Sequence, residues 1–209
     1  MNWRTMGSHQ FTVGFSMSHG NHQVRIISGK WRGRKLQFPK GTNHQDLRPT
    51  TDRIRETVFN WIAPYVQDAV CLDAFAGSGA LGWEALSRHA QHVHFVDASA
   101  DVRDNLHAQQ ATLTAHEHST IVLADAIKWL QQPASQRFDL VFLDPPFRLN
   151  TSAQTCLDAL VEQQWLSPGA LVYVEQDRND ACVDHVQLKR YRHQQAGQVQ
   201  YTLFTLDRV

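Results

Sequence analysis

Four acidic residues stand where strand-like runs of this chain stop. Asp73 follows Val70-Cys71-Leu72, Asp97 closes Val93-His94-Phe95-Val96, Asp125 follows the stretch from Ser119 to Leu123, and Asp144 ends Leu140-Val141-Phe142-Leu143. Four consecutive apolar residues do not stay in water cheaply, so the last of these runs reads as a core strand of an α/β sheet. Its acid then lies at the carboxyl rim, where open α/β sheets bind their ligands. The residues that follow Asp144 are Pro145, Pro146 and Phe147. The prolines fix their own φ angles, remove two N–H donors and hold the preceding residues extended. The result is a rigid loop with a carboxylate, carbonyl acceptors, no competing backbone donor and a ring for stacking. Such a pocket suits a planar group that carries an –NH2.

A glycine-rich turn follows the first of these strands: Asp73-Ala74-Phe75-Ala76-Gly77-Ser78-Gly79-Ala80-Leu81-Gly82. Gly77, Gly79 and Gly82 match GxGxxG, and Asp97 lies 20 residues beyond Gly77, the place of a ribose-binding acid. The pattern alone admits a nicotinamide or flavin cofactor. Asp73 at the mouth of the turn would repel a pyrophosphate, whereas S-adenosylmethionine brings an ammonium group and a sulfonium. Asp125 is placed to accept from an adenine amino group, with the Ala126 backbone as donor. Phe75 and Ser78 belong to the same turn. Hydride transfer has no use for Asp-Pro-Pro-Phe, so a cationic nucleoside fits the acids better than a dinucleotide.

The elements that must position these residues alternate. Strands are expected at Val70–Leu72, Val93–Val96, Ser119–Leu123, Phe138–Leu143 and Ala170–Glu175. Helices are expected at Ala80–Arg88, Ser99–Thr114 and Ser152–Gln164, and Val183–Arg192 with Gln198–Leu206 form a final antiparallel pair. This order predicts a doubly wound, Rossmann-like α/β fold, a mostly parallel sheet of seven strands with right-handed crossovers. Ahead of it, Val24–Gly29 and Arg34–Phe38 read as a hairpin around Lys30-Trp31-Arg32-Gly33. A helix capped by Thr50 or Thr51 then runs to about Ala63, with Ile54, Val58, Phe59 and Ile62 as its apolar stripe. Three segments follow: a disordered polar leader over 1–23, a basic extension over 24–66 and the sheet domain over 67–209.

Charge is divided unequally. The chain has net charge zero, yet Val24 to Arg55 holds nine basic residues against two acids. Asymmetry of this kind points to a polyanion docked by one arm. The cationic candidates are Arg25, Lys30, Arg32, Arg34, Lys35, Arg48 and Arg53; Arg53 or Arg55 is open to pairing with a rim acid instead. Cys71, Cys156 and Cys182 are widely spaced without a CxxC pair, so no structural zinc is expected and a reduced, cytoplasmic setting is. His92 and His94 share a strand face and are expected to face solvent, as are His116 and His118. No apolar stretch reaches the roughly 20 residues of a membrane span. The first 23 residues lack a signal-peptide core, and Met17 is an alternative start.

Taken together, Asp73-x-Phe75-x-Gly77-x-Gly79, Asp97, Asp125-Ala126 and Asp144-Pro145-Pro146-Phe147 resemble class I S-adenosylmethionine-dependent methyltransferases that act on exocyclic amines. The entry resembles them too, with Arg25-Ile26-Ile27-Ser28-Gly29, Arg32-Gly33-Arg34-Lys35-Leu36 and Leu47-Arg48-Pro49-Thr50-Thr51-Asp52-Arg53 running on to Asn60. From Val24 to Val209 the chain is similar to the bacterial small-subunit ribosomal RNA guanine-N2 methyltransferases. It departs in its long polar leader and in Asp97, where the family often has Glu. The resemblance implies S-adenosylmethionine as cofactor and, as substrate, the N2 amine of one guanine of 16S rRNA within a 30S subunit or assembly intermediate. It also implies Asp144, Pro145, Pro146 and Phe147 as the catalytic set, and it places Glu56 and Asn60 toward the cofactor's methionine end. A monomer is the default. The same tetrapeptide suits a DNA adenine or protein glutamine amine, and a nucleotide-binding module without transferase activity is the remaining alternative.

Overall fold

The structure is a computed structural model that describes residues 23–38, 51–146 and 152–207. The expectations placed on the leader, on Arg48 and on Phe147 lie outside these residues. Among the described residues the strands and helices run β1 (Gln23–Arg25), β2 (Lys35–Gln37), α1 (Asp52–Trp61), α2 (Ala63–Val66), β3 (Val70–Asp73), α3 (Ala80–Ser87), β4 (His92–Asp97), α4 (Ala100–Leu113), β5 (Ser119–Leu123), α5 (Ala126–Leu130), β6 (Phe138–Leu143), α6 (Ser152–Glu162), β7 (Leu166–Asp177), β8 (Leu188–Ala196) and β9 (Val199–Leu206). β1 and β2 form the expected hairpin. The main sheet has seven strands in the order β5-β4-β3-β6-β7-β9-β8. Its first five strands are parallel, and β9 pairs antiparallel with both β7 and β8.

The alternation along β6 explains why this strand is apolar from Leu140 to Leu143. Leu140 and Phe142 enter a core shared with Phe59, Trp83, Phe95 and Tyr173. Val141 and Leu143 enter the opposite one with Leu157, Trp165 and Phe204. A strand covered on both faces has no polar side to offer. On α1 the stripe Ile54, Val58, Phe59, Ile62 is buried, while Arg53, Glu56 and Asn60 face outward. The Thr51 hydroxyl caps α1 by accepting from the Ile54 N–H at 3.3 Å.

The structure departs from the sequence reading in several places. α5 was not expected: Asp125 begins it as its cap, accepting from the Lys128 N–H at 3.0 Å, and only five residues follow. β7 starts at Leu166 rather than Ala170, because the β6–β7 register shifts between Phe138 and Leu140 and lets the strand pass Pro168 and Gly169. The last hairpin begins at Leu188, not Val183. His92 and His94 are half-buried rather than exposed. Their rings lie 4.9 Å apart, the His94 ring meets Phe138 edge-on at 5.3 Å, and burial lowers the His94 pKa to about 4. Among the described residues no helix is long and apolar enough to cross a membrane. No group of three or more His, Cys, Asp or Glu among them is set to hold a metal.

Candidate active site

β3 has β4 on one side and β6 on the other, while the chain connects it onward to β4. The strand order therefore reverses beside β3, and a crevice opens there at the carboxyl ends. The glycine turn leaves β3 into that crevice, and the end of β6 lies alongside it, with the Ala74 N–H donating to the Phe142 carbonyl at 3.1 Å.

Inside the turn the acids do more structural work than their spacing suggested. The two Asp97 oxygens accept separately, one from the Gly77 N–H at 3.0 Å and the other from the Ser99 N–H at 2.9 Å. One carboxylate thus fixes both the glycine turn and the start of α4. The turn is closed by the Gly79 N–H donating to the Ala76 carbonyl at 2.6 Å. Gly79 has φ +74°, and a side chain there would run into the Trp83 indole and Leu106, so only glycine fits. Asp73 does not stand at the mouth as expected. It is 2% exposed and accepts from the Gly82 N–H at 3.0 Å, in the first turn of α3. Burial pushes its carboxyl up to about 7; the Gly82 bond pulls the other way and the Asp97 charge adds to the rise.

Phe75 and Gly77 are partly exposed in this turn, and Ser78 is buried. Gly82 packs α3 against Phe95 of β4. Asp125 is exposed at the end of the crevice and Ala126 is buried beside it. On β6 the Asp144 side is half-buried, Pro145 buried and Pro146 exposed. The structure thus gathers Asp73, Asp97, Asp125 and Asp144 at the ends of four adjacent strands.

Two residues that sequence reasoning passed over lie next to Asp144. The β6–β7 register pairs Leu143 with Val174, which sets Glu175 beside Asp144 at the rim. Glu175 is 2% exposed and accepts from the Tyr173 hydroxyl at 2.7 Å. Burial, then the Glu175 and Asp144 charges, hold the Tyr173 phenol well above its ordinary pKa. In the sequence Glu175 closes the expected strand Ala170–Glu175, a signal of the same kind as Asp73 and Asp97, although the observed strand runs on to Asp177.

The basic hairpin is bolted to the helix that begins at the glycine turn. Glu84, fully buried on α3, accepts from the Ile27 N–H at 2.6 Å, the Ser28 N–H at 3.0 Å and Arg88 Nε at 2.7 Å. The Lys30 N–H donates to the Ser87 carbonyl at 2.8 Å, and the Trp31 N–H to Ser87 Oγ at 3.0 Å. A side chain at Gly29 would be driven into the Ser87 carbonyl, so the hairpin sits at backbone contact. From the other end of β2, the Gln37 carbonyl accepts from Asn105 and Gln109 of α4, both at 3.0 Å. Arg25, Lys30, Arg32, Arg34 and Lys35 remain exposed on this anchored frame, as does Arg53 on α1. Arg55 does not pair with a rim acid. It is fully buried, and its Nη2 donates to the Arg25 carbonyl and to Asp52 Oδ1, both at 2.7 Å.

With this geometry in place, comparison with known proteins gives a consistent result. The family model described as conserved hypothetical protein 95 matches residues 24–205. The chain is 42% identical over 184 residues to Ribosomal RNA small subunit methyltransferase D of Haemophilus influenzae, covering 87% of this chain and 93% of that protein. It is 44% identical over 186 residues to the protein of the same name from Escherichia coli K12, covering 88% and 91%. A solved structure from Escherichia coli superimposes with a TM-score of 0.80 at 40% identity, over 90% of this chain and 100% of that one. An RNA methyltransferase of Salinibacter ruber, at 17% identity and a TM-score of 0.59, shares the fold. The chain belongs to the conserved hypothetical protein 95 family.

Proposed function

We propose that this chain is an S-adenosylmethionine-dependent methyltransferase that modifies the exocyclic N2 amine of one guanine in 16S rRNA. The observation that carries this reading is the juxtaposition of Asp144-Pro145-Pro146 with the glycine turn at the switch point of the sheet. Relatives at 42% and 44% identity, named as small-subunit rRNA methyltransferases, support the substrate class. The residues around the turn fit a cationic nucleoside. The site gathers four carboxylates, and the carboxyl of Asp73 is held near neutrality by burial, a state that a nearby cation would turn back into a carboxylate.

S-Adenosylmethionine, when bound, supplies an electrophilic methyl group on a positively charged sulfur. The rest falls to the chain. Asp97 shapes the turn and keeps acceptor capacity that would serve a ribose; the adenine edge is assigned to the Asp125 carboxylate and the Ala126 N–H. A nucleobase amine is a poor nucleophile because its lone pair is delocalised into the ring. Asp144 and the Pro145 carbonyl accept its two hydrogens, which holds the nitrogen and favours a pyramidal form with the lone pair directed at the methyl. Orientation of this kind supplies roughly 7–11 kcal/mol in favourable cases. Transfer of the methyl from sulfur would leave a surplus proton on the nitrogen, and Asp144 or water would take it. Phe147 stacks on the base, an interaction worth about 1–3 kcal/mol by alanine substitution. The guanine must be unstacked to enter.

The deciding assay is transfer of labelled methyl to 16S rRNA, to DNA and to protein. Incorporation into rRNA as N2-methylguanine is expected. Incorporation into DNA adenine or protein glutamine would redirect the reading, and tight NAD binding without S-adenosylmethionine binding would overturn it.

A further inference from the structure

Besides the hairpin, a second part of the surface carries uncompensated positive charge. From His185 to Leu206, 22 residues contain no acid and include Lys189, Arg190 and Arg192. All three are exposed on β8, as are Tyr191 and His193. None of them takes part in the three ion pairs formed among the described residues. The Arg192 guanidinium lies 4.1 Å from the Tyr191 ring centre, and its Nη1 donates to the Tyr191 carbonyl at 3.0 Å, so the charge is held against an aromatic surface. At the foot of the strand a recess of about 370 Å³ is lined by Tyr65, Lys189 and Tyr191 among others. Tyr65 and Tyr191 are two of the four large exposed apolar side chains among the described residues.

Position gives these residues their meaning. β8 is one edge of the sheet, and it runs parallel to β7 because both are antiparallel to β9. Its carboxyl end therefore reaches the same rim as Asp144: through β9, Gln194 stands level with Glu175, while Arg192 and Arg190 stand level with Tyr173 and Val172, below the rim. Three strand spacings separate β8 from β6, about 14 Å. The hairpin docks on α3 and α4, toward the opposite edge. The acceptor site thus lies between two cationic flanks.

We propose that β8 is a second RNA-contact surface, in which Arg190 and Arg192 bind backbone phosphates and Tyr191 carries an unpaired base. This rests on the reading that the substrate is rRNA. A polyanion that enters the crevice past the hairpin must leave it toward β7, β9 and β8, and arginine on an aromatic face suits phosphate and unstacked bases alike. Positive charge on an edge strand also guards against strand-to-strand association between copies. That role makes the opposite forecast.

The experiment compares the full chain with the Arg190→Gln/Arg192→Gln variant. Affinity for 16S rRNA, both naked and in assembled small subunits, is measured across a salt series, alongside S-adenosylmethionine binding and size-exclusion behaviour. Each lost phosphate contact lowers the slope of log affinity on log salt by about one. The expected result is a slope lower by one to two, unchanged cofactor affinity and a monodisperse protein. Tyr191→Ala, tested in parallel, is expected to weaken binding at every salt concentration without altering the slope. An unchanged slope in the double variant, with or without new self-association, would overturn the proposal. So would a loss seen only with assembled particles and absent on naked RNA, which would mark a protein contact. Failure of the wild-type chain to bind rRNA in either form would instead overturn the substrate reading on which this rests.

Discussion

Asp144 and Asp73 are both carboxylates at strand ends, and their surroundings give them different tasks. Asp144 is half-buried at the rim, with two prolines behind it that offer no N–H. Asp144→Ala is therefore expected to reduce turnover by about 10²–10⁴-fold, the range of a positioned acid–base group, while S-adenosylmethionine affinity stays within a few-fold. Single-turnover kinetics and calorimetry check the two halves; a near-normal rate would remove the proposed role. Asp73 is expected to show itself through pH. Its folded value of about 7 lies above the ordinary 3.8. The stability it contributes is full below the ordinary value and is lost as pH rises through about 7. Between pH 6 and 8 that loss is about 1.4 kcal/mol in the ligand-free protein. Asp73→Asn keeps an acceptor for Gly82 and removes the charge, so its thermal melts should lack this component. From sequence, the type and strand-end placement of both acids could be read. Their burial could not, because it depends on how α3 packs over β3.

At the scale of elements, α3 joins the glycine turn to the hairpin. Its buried face runs all the way round, from Leu81 to Ser87, and includes the charged Glu84. A charged residue in a helix that is otherwise apolar on every side signals a buried partner, and that was the legible clue. The partner itself was not legible, since it is the backbone of Ile27 and Ser28, more than 50 residues away. Glu84→Ala leaves those two N–H groups and Arg88 without their acceptor and is expected to cost roughly 2–4 kcal/mol of stability. Chemical denaturation measures this. At temperatures where the variant stays folded, its rRNA affinity should fall more than its S-adenosylmethionine affinity. The helices and strands with strong periodicity, such as α1, α4 and β6, matched their expected ranges closely. α5 escaped because five residues give no usable period, and β7 because Pro168 and Gly169 look like a break when they lie within a long strand.

Over the whole molecule, a neutral chain is arranged so that acids gather at the strand ends beside β3 while the hairpin and β8 carry exposed cations. Changing Arg32, Arg34 and Lys35 together to Gln should flatten the salt dependence of rRNA binding by about three, with cofactor binding intact. Filter binding across a salt series reads this directly. The sheet order and the place of the crevice followed from the alternation of strands and helices, whereas the hairpin's docking site did not, because no local pattern links distant surfaces. The central claim is methylation of one guanine at N2, and its most direct test is in cells. Small-subunit rRNA is taken from a strain lacking this protein, from one carrying it and from one carrying Asp144→Ala, and the modified nucleotides are mapped by mass spectrometry. One N2-methylguanine is expected to be present only with the wild-type chain. An rRNA modification pattern identical in all three strains would contradict it.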